Sequence, residues 1–169
     1  MLKIAILFCL LLFVSHISKA QVTNNTAVQK EVAYPYKINY SAEFEPIDAQ
    51  KGKMILDLWK DFEANQLDKW KDKLADTVAM WFPTIQMRAG RDTIIARAKG
   101  YRNSYKSVVR KVDVVMSTRS TDKKTDFVLI WGKETFKNQQ NKSESIELHE
   151  VWAFDKNGKI ETIEQYIRK

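Results

Sequence analysis

The sequence predicts an α+β domain in which helices cover one face of a curved, mostly antiparallel sheet. Apolar residues recur at helical spacing over much of the stretch from 48 to 105, and from Val108 onward the apolar period falls to two, with β-branched residues dominant. Helices followed by successive strands are typical of this class, because the helices can pack together on one sheet face. The chain of 169 residues, 44% of them hydrophobic, can bury one sizeable core.

Residues 1–20 have the features of a secretory signal peptide. Lys3 precedes an uninterrupted apolar run over 4–14, and Ser18 and Ala20 are the small residues that suit signal peptidase. The run is shorter than the roughly 20 apolar residues that a membrane-spanning helix needs. We therefore expect no stable membrane span, and a secreted or periplasmic location after residues 1–20 are removed.

Loss of this segment removes Cys9 and His16 and leaves His149 as the one histidine. The mature chain then has no thiol for nucleophilic catalysis or disulfides, and a single imidazole is a poor basis for a zinc or iron site. No phosphate-binding loop or nucleophile elbow is present. We expect no metal and no cofactor. A mildly basic exported chain also predicts no nucleic-acid partner.

Residues 21–47 are polar, with irregularly spaced aromatic residues, and predict an irregular N-terminal segment. Residues 48–169 form the predicted domain. Three helices are expected in its N-terminal half: the first over 48–65, a short second one with Leu67, Trp70 and Leu74 on one side, and a third that follows Gly90 and carries Ile94, Ala98, Tyr101 and Tyr105.

Five segments predict strands. One covers 77–83 and ends at Pro83, since proline interrupts a sheet ladder. The other four follow one another over 108–117, 125–136, 143–155 and 159–167. Their short polar connections indicate an antiparallel meander, and the Asn157-Gly158 pair is typical of a tight hairpin turn.

Four stretches of this sequence resemble the nuclear transport factor 2-like superfamily, and more narrowly its SnoaL-like branch of polyketide cyclases and ketosteroid isomerases. They read LWKDFEANQLDKW (58–70), ADTVAMWFP (75–83), GRDTII (90–95) and VWAFDKNGKIETIEQYI (151–167). The resemblance covers about 48–168. It implies a cone-shaped fold with a strongly bent sheet around the helices, an apolar pocket, and a homodimer formed through the outer sheet face. It leaves function open, because relatives include enzymes, binding proteins and non-catalytic assembly domains.

The resemblance to ketosteroid isomerases implies three catalytic positions, and only one of them holds an acid here. Phe82 stands at the position of the general base, and Leu58 at that of the oxyanion tyrosine. Glu150 stands at the position of the second oxyanion group. Steroid isomerisation by the usual mechanism is therefore not expected.

Glu150 is the strongest catalytic candidate on residue grounds as well. Alternation along a strand puts it on one face with Ile146, Leu148, Trp152 and Phe154, where a carboxyl group can serve as a general acid or hydrogen-bond donor. The alternative is a structural glutamate that pairs with an arginine or a tryptophan N–H. The adjacent His149 points to the opposite face, so it is expected on the sheet surface or at a dimer interface.

Aromatic residues supply the candidate pocket lining, with ordinary core packing as the alternative. The candidates are Trp59, Phe62, Trp81, Tyr101, Tyr105, Trp131 and Trp152, with the aliphatic Ile163. A basic run between residues 88 and 111 offers Arg97, Arg102 and Lys106 as a face for an anionic partner, or a solvated helix face.

Two functions remain open on this reasoning. The first is a non-catalytic binding or assembly module whose pocket takes a small apolar or aromatic ligand. The second is a cofactor-free isomerase, cyclase or hydrolase that uses Glu150 as its general acid or base.

Overall fold

The computed structural model describes residues 33–168, and all helices and strands below belong to the unit that begins at Lys37. The predicted signal peptide lies outside the described residues. No helix within residues 33–168 combines the length and the apolar content that crossing a membrane requires.

Within residues 33–168, two α-helices and one 3₁₀ helix precede the four long C-terminal strands. Helix α1 spans Gln50–Glu63, and its buried face includes Ile55, Leu58, Trp59 and Phe62. The 3₁₀ helix spans Leu67–Trp70, and helix α2 spans Arg91–Asn103. The three predicted helices are therefore not all α-helices. The second has only four residues: Asn65, shortly before it, has a φ of 58°, and Leu74 already starts a strand.

Seven strands form one curled, unclosed sheet in the described part of the chain. They are β1 Phe44–Pro46, β2 Leu74–Phe82, β3 Ile85–Gly90, β4 Tyr105–Ser120, β5 Asp126–Asn138, β6 Ser143–Phe154 and β7 Ile160–Arg168. Their order in the sheet is β1-β4-β5-β6-β7-β2-β3. Strands β2 and β7 are parallel neighbours, and the other neighbouring pairs are antiparallel.

The α+β class and the meander of four long C-terminal strands are confirmed. The turn between β6 and β7 uses Gly158 at a φ of 74°, which favours glycine. Two short strands were not predicted. Strand β1 lies in the segment interpreted as irregular, and β3 ends at Gly90, directly before α2.

The helices pack on the inner, concave face of the sheet. Helix α1 lies against β4 and β5, where the backbone N–H of Gly52 donates to Ser117 Oγ at 3.1 Å. Gly132 on β5 lets α1 come close, because a Cβ there would stand 3.3 Å from the Trp59 ring and 2.4 Å from the Lys111 carbonyl oxygen. This close approach places the indole of Trp59 among the inward-facing residues of the sheet.

Candidate functional site

A cavity of about 340 Å³ lies between the inner sheet face and the helices. Its walls are mainly apolar and aromatic, as is usual for small-molecule sites. The apolar lining includes Phe62, Trp70, Met80, Phe82, Phe136, Ile146, Trp152 and Ile163. The polar lining includes Tyr101, Tyr105, Arg97, Arg110, Glu144, Glu150 and Gln165.

Five of the eight residues predicted to line a pocket do line this cavity: Phe62, Tyr101, Tyr105, Trp152 and Ile163. Trp59 is buried beside the cavity and is not part of its lining. Trp81 and Trp131 lie on the outer sheet face, with 45% and 37% of their surface exposed. Neither residue lines this cavity, because the inward positions next to them belong to Met80 and Ile130.

Glu150 is buried with 2% of its surface exposed, and its carboxylate accepts three hydrogen bonds. Its Oε2 accepts from Trp59 Nε1 at 2.8 Å and from Trp152 Nε1 at 2.9 Å. Its Oε1 accepts from Gln165 Nε2 at 2.9 Å. All three partners are N–H donors, so the carboxyl oxygens of Glu150 act as acceptors in each bond. The tryptophan N–H partners are those of the structural alternative, while the catalytic role of Glu150 stays a prediction.

Arg110 and Glu134 form a second buried polar pair beside the cavity. Arg110 Nε donates to Glu134 Oε2 at 2.6 Å, and the two side chains are 7% and 2% exposed. The guanidinium carbon lies 4.7 Å from the ring centre of Trp59 and 4.4 Å from that of Phe62, within cation–π range. This pair was not predicted from the sequence. The sequence pattern that could have indicated it is the alternation of Val108, Arg110 and Val112, which puts Arg110 on the same strand face as two valines.

Two tyrosines complete one wall of the cavity. The rings of Tyr101 and Tyr105 meet edge-to-face at 5.2 Å, and Tyr105 also lies 4.6 Å from Phe136. Burial is the main cause that raises the pKa of the Tyr101 phenol above its ordinary range, and the neighbouring Tyr105 and Glu134 raise it further. Tyr101 therefore stays protonated at neutral pH and can donate a hydrogen bond.

The three residues predicted as an anionic-partner face do not lie together as one exposed surface. Arg102 is buried, and its guanidinium donates to the carbonyl oxygens of Phe62 at 3.0 Å, Glu63 at 2.9 Å and Tyr105 at 3.0 Å. It thus satisfies carbonyl groups at the end of α1, which a helix leaves unpaired. Lys106 is exposed and donates to Asn141, whereas Arg97 lines the cavity.

The outer sheet face carries a row of aromatic residues. His149 stacks on Trp131 at 4.3 Å and lies 5.9 Å from Tyr166. These three residues are register partners on β5, β6 and β7. As expected from alternation, His149 lies on the face opposite Glu150. Among residues 33–168, no three or more His, Cys, Asp or Glu side chains are grouped as a metal site would require.

Solved structures of known proteins share the fold of this chain. A protein from Jannaschia sp. CCS1 assigned as a SnoaL-like polyketide cyclase is 12% identical, with a TM-score of 0.60 over 73% of this chain and 88% of that one. This chain has a nuclear transport factor 2-like fold. The same fold is seen in a nuclear transport factor 2-like protein of unknown function from Burkholderia pseudomallei, at 16% identity and a TM-score of 0.58 over 72% of this chain and 92% of that one.

An LEH-like epoxide hydrolase from M. tuberculosis is similar as well. It is 12% identical, with a TM-score of 0.57 over 71% of this chain and 84% of that one. No family model matches the sequence, and no curated protein matches it. The nuclear transport factor 2-like fold thus hosts different activities in these proteins, so function must be argued from the site.

Replacement of Glu150 tests the hydrogen-bond network that surrounds it. Glu150→Leu leaves two buried indole N–H groups without acceptors, and we expect it to lower the free energy of unfolding by about 3 kcal/mol or more. Glu150→Gln should cost less, because Gln165 can turn its amide to accept from the new NH₂ group. Urea unfolding followed by tryptophan fluorescence measures both changes.

The control is Glu147→Leu, on the exposed outer face of the same strand, with an expected change within about 0.5 kcal/mol. Equal stability of Glu150→Leu and Glu147→Leu would show that the indole hydrogen bonds do not hold the fold together.

Proposed function

We propose that this chain is an exported, non-catalytic binding or assembly module whose cavity holds a small apolar or aromatic ligand. The observation that carries this proposal is an open apolar cavity beside a carboxylate already held by three donors. A carboxyl group held by three donors can orient a ligand, whereas a general base must also gain and lose a proton during a reaction. Aromatic walls favour a flat ligand.

A second candidate function is cofactor-free isomerisation, cyclisation or hydrolysis with Glu150 as general acid or base. The observation in its favour is that Glu150 lines the cavity and that Oε1 accepts only from Gln165, which leaves acceptor capacity on that atom. Turnover of a bound compound that is lost in Glu150→Gln while binding persists would establish it. Turnover that survives this change would exclude it.

Binding in the cavity can be blocked by filling it. Ala98 on α2 lines the cavity, and Ala98→Phe projects a ring into that space. We expect this variant to weaken binding of the neutral fluorophore N-phenyl-1-naphthylamine at least tenfold, because a ligand of this size then has no room. Fluorescence titration measures the affinity.

Ala96→Phe is the matched control, since Ala96 is exposed on the same helix. It should bind the fluorophore as the unmodified protein does. Equal binding by Ala98→Phe and Ala96→Phe would place the fluorophore outside the cavity and contradict the proposed function.

We also propose a homodimer through the outer sheet face. Exposed apolar side chains gather there on four strands, among them Val114, Met116, Trp131, Tyr166 and Trp81. Contiguous apolar surface of this kind is typical of interaction sites. Trp131→Glu should raise the dimer dissociation constant at least tenfold, because buried tryptophans often dominate interfaces. Sedimentation equilibrium measures it.

Gln139→Glu serves as the control for this change. It adds the same negative charge at an exposed position in the turn after β5. A protein that sediments as a monomer before any substitution would contradict the dimer.

The proposed export rests on residues 1–20. When the full chain is expressed in a host with a secretory pathway, the exported protein should begin at Gln21. Intact-mass spectrometry checks the new terminus, and retention of Met1–Ala20 on the exported protein would contradict the proposal.

A further inference from the structure

We propose that the cavity selects a neutral ligand with a carbonyl oxygen, and that Arg110 donates hydrogen bonds to this oxygen. The inference rests on the proposed function, because it names the ligand class of the same cavity. The outer end of the Arg110 guanidinium, which lines the cavity, has no part in the proposed function so far.

The Arg110 guanidinium is held in place but not saturated. Its side chain is 7% exposed, and Nε is engaged by Glu134. Its two terminal amino groups have no hydrogen-bond partner among residues 33–168. They are not fully buried either, because the one side-chain nitrogen or oxygen in those residues that is both fully buried and unpaired is His149 Nε2. The Arg110 amino groups are therefore not sealed, and because Arg110 lines the cavity, they open onto it.

Unpaired N–H donors beside apolar walls favour an acceptor from the ligand. A buried donor without a partner is costly, and a hydrogen bond to a charged donor is stronger than one between neutral groups. The stacking of Arg110 on Trp59 and Phe62 keeps its donors in one orientation, so little side-chain entropy is lost on binding. A ligand oxygen that reaches Arg110 thus meets a prepared site.

The surrounding charges favour a neutral carbonyl over a carboxylate. Glu134 already balances the charge of Arg110. The other charged lining residues are Arg97, Glu144 and Glu150. Glu150 lies close to Arg110, because the Trp59 indole that donates to Glu150 also packs its ring against the Arg110 guanidinium. A ligand carboxylate at Arg110 would lie near two buried carboxylates, and like charges in a site with little water repel strongly.

The test uses three probes that share one flat body. 2-Acetylnaphthalene carries the carbonyl, 2-isopropenylnaphthalene has the same shape with CH₂ in place of oxygen, and 2-naphthoate carries a negative charge. Displacement of N-phenyl-1-naphthylamine from the full domain gives their affinities. We expect 2-naphthoate to bind more weakly than the ketone.

The decisive quantity is the affinity ratio of ketone to alkene, compared between proteins so that the difference in probe hydration cancels. The double variant Arg110→Met/Glu134→Gln removes the donors without leaving a buried charge unpaired. We expect the ratio to fall about tenfold in this variant, the effect of one charged hydrogen bond. Arg119→Met/Asp126→Asn is the matched control, since it removes an ion pair outside the cavity lining and should leave the ratio unchanged.

The outcomes separate this inference from the proposed function. A ratio that is the same in the double variant, with both probes still bound, overturns the inference and leaves the proposed function in place. Tighter binding of 2-naphthoate than of the ketone also overturns it. Displacement by none of the probes contradicts both.

Should the double variant not fold, the unmodified protein provides a second measurement. The infrared band of a ¹³C-labelled ketone carbonyl should move to lower frequency on binding than it has in a hydrocarbon solvent, because the oxygen accepts hydrogen bonds. A bound ketone with an unshifted band overturns the inference.

Discussion

The side chain of Trp59 joins the helix layer to the sheet, and the polar groups around the cavity depend on its position. Its indole N–H donates to Glu150, its ring supports the Arg110 guanidinium, and its outer edge packs where Gly132 has no side chain. Trp59 on α1 thus holds both the acceptor Glu150 on β6 and the donor Arg110 on β4. Because both polar groups are buried, a displacement of the helix would leave unpaired groups in an apolar interior, so packing and polar contacts hold α1 in the same place.

Strand alternation explains how much of the fold and site could be predicted from the sequence. The strands β4 to β7 have long two-residue patterns, and the inward position of Glu150 follows from the apolar residues on either side of it. The short strands were harder to predict from the sequence. Strand β3 has six residues, and its existence depends on pairing with β2, a tertiary contact that local pattern does not encode.

Which face a tryptophan occupies was also beyond local pattern. In β5, Trp131 stands between Ile130 and Gly132. These neighbours do not indicate which sheet face Trp131 occupies, because the outer face of this sheet is apolar too. In β4, a bulge between Val112 and Val114 shifts the alternation, so Val115 rather than Val114 faces α1. Arg110 lies before this bulge, in the basic run between residues 88 and 111, and its burial depends on the contact with Glu134 on the neighbouring strand.

Phe82 and Leu58, the two apolar residues at the isomerase-like positions, both pack against apolar surroundings in this structure. Phe82 lines the cavity wall and Leu58 is buried in the core, so both contribute apolar surface where the resemblance to ketosteroid isomerases implies reactive groups. The polar groups that remain are each tied to the protein: Glu150 by three N–H donors, and Arg110 by Glu134 and two aromatic rings. Groups restrained in this way recognise a ligand at little entropic cost, whereas proton uptake at Glu150 could use only the acceptor capacity that Gln165 leaves on Oε1. Recognition therefore follows more directly from this site than catalysis does.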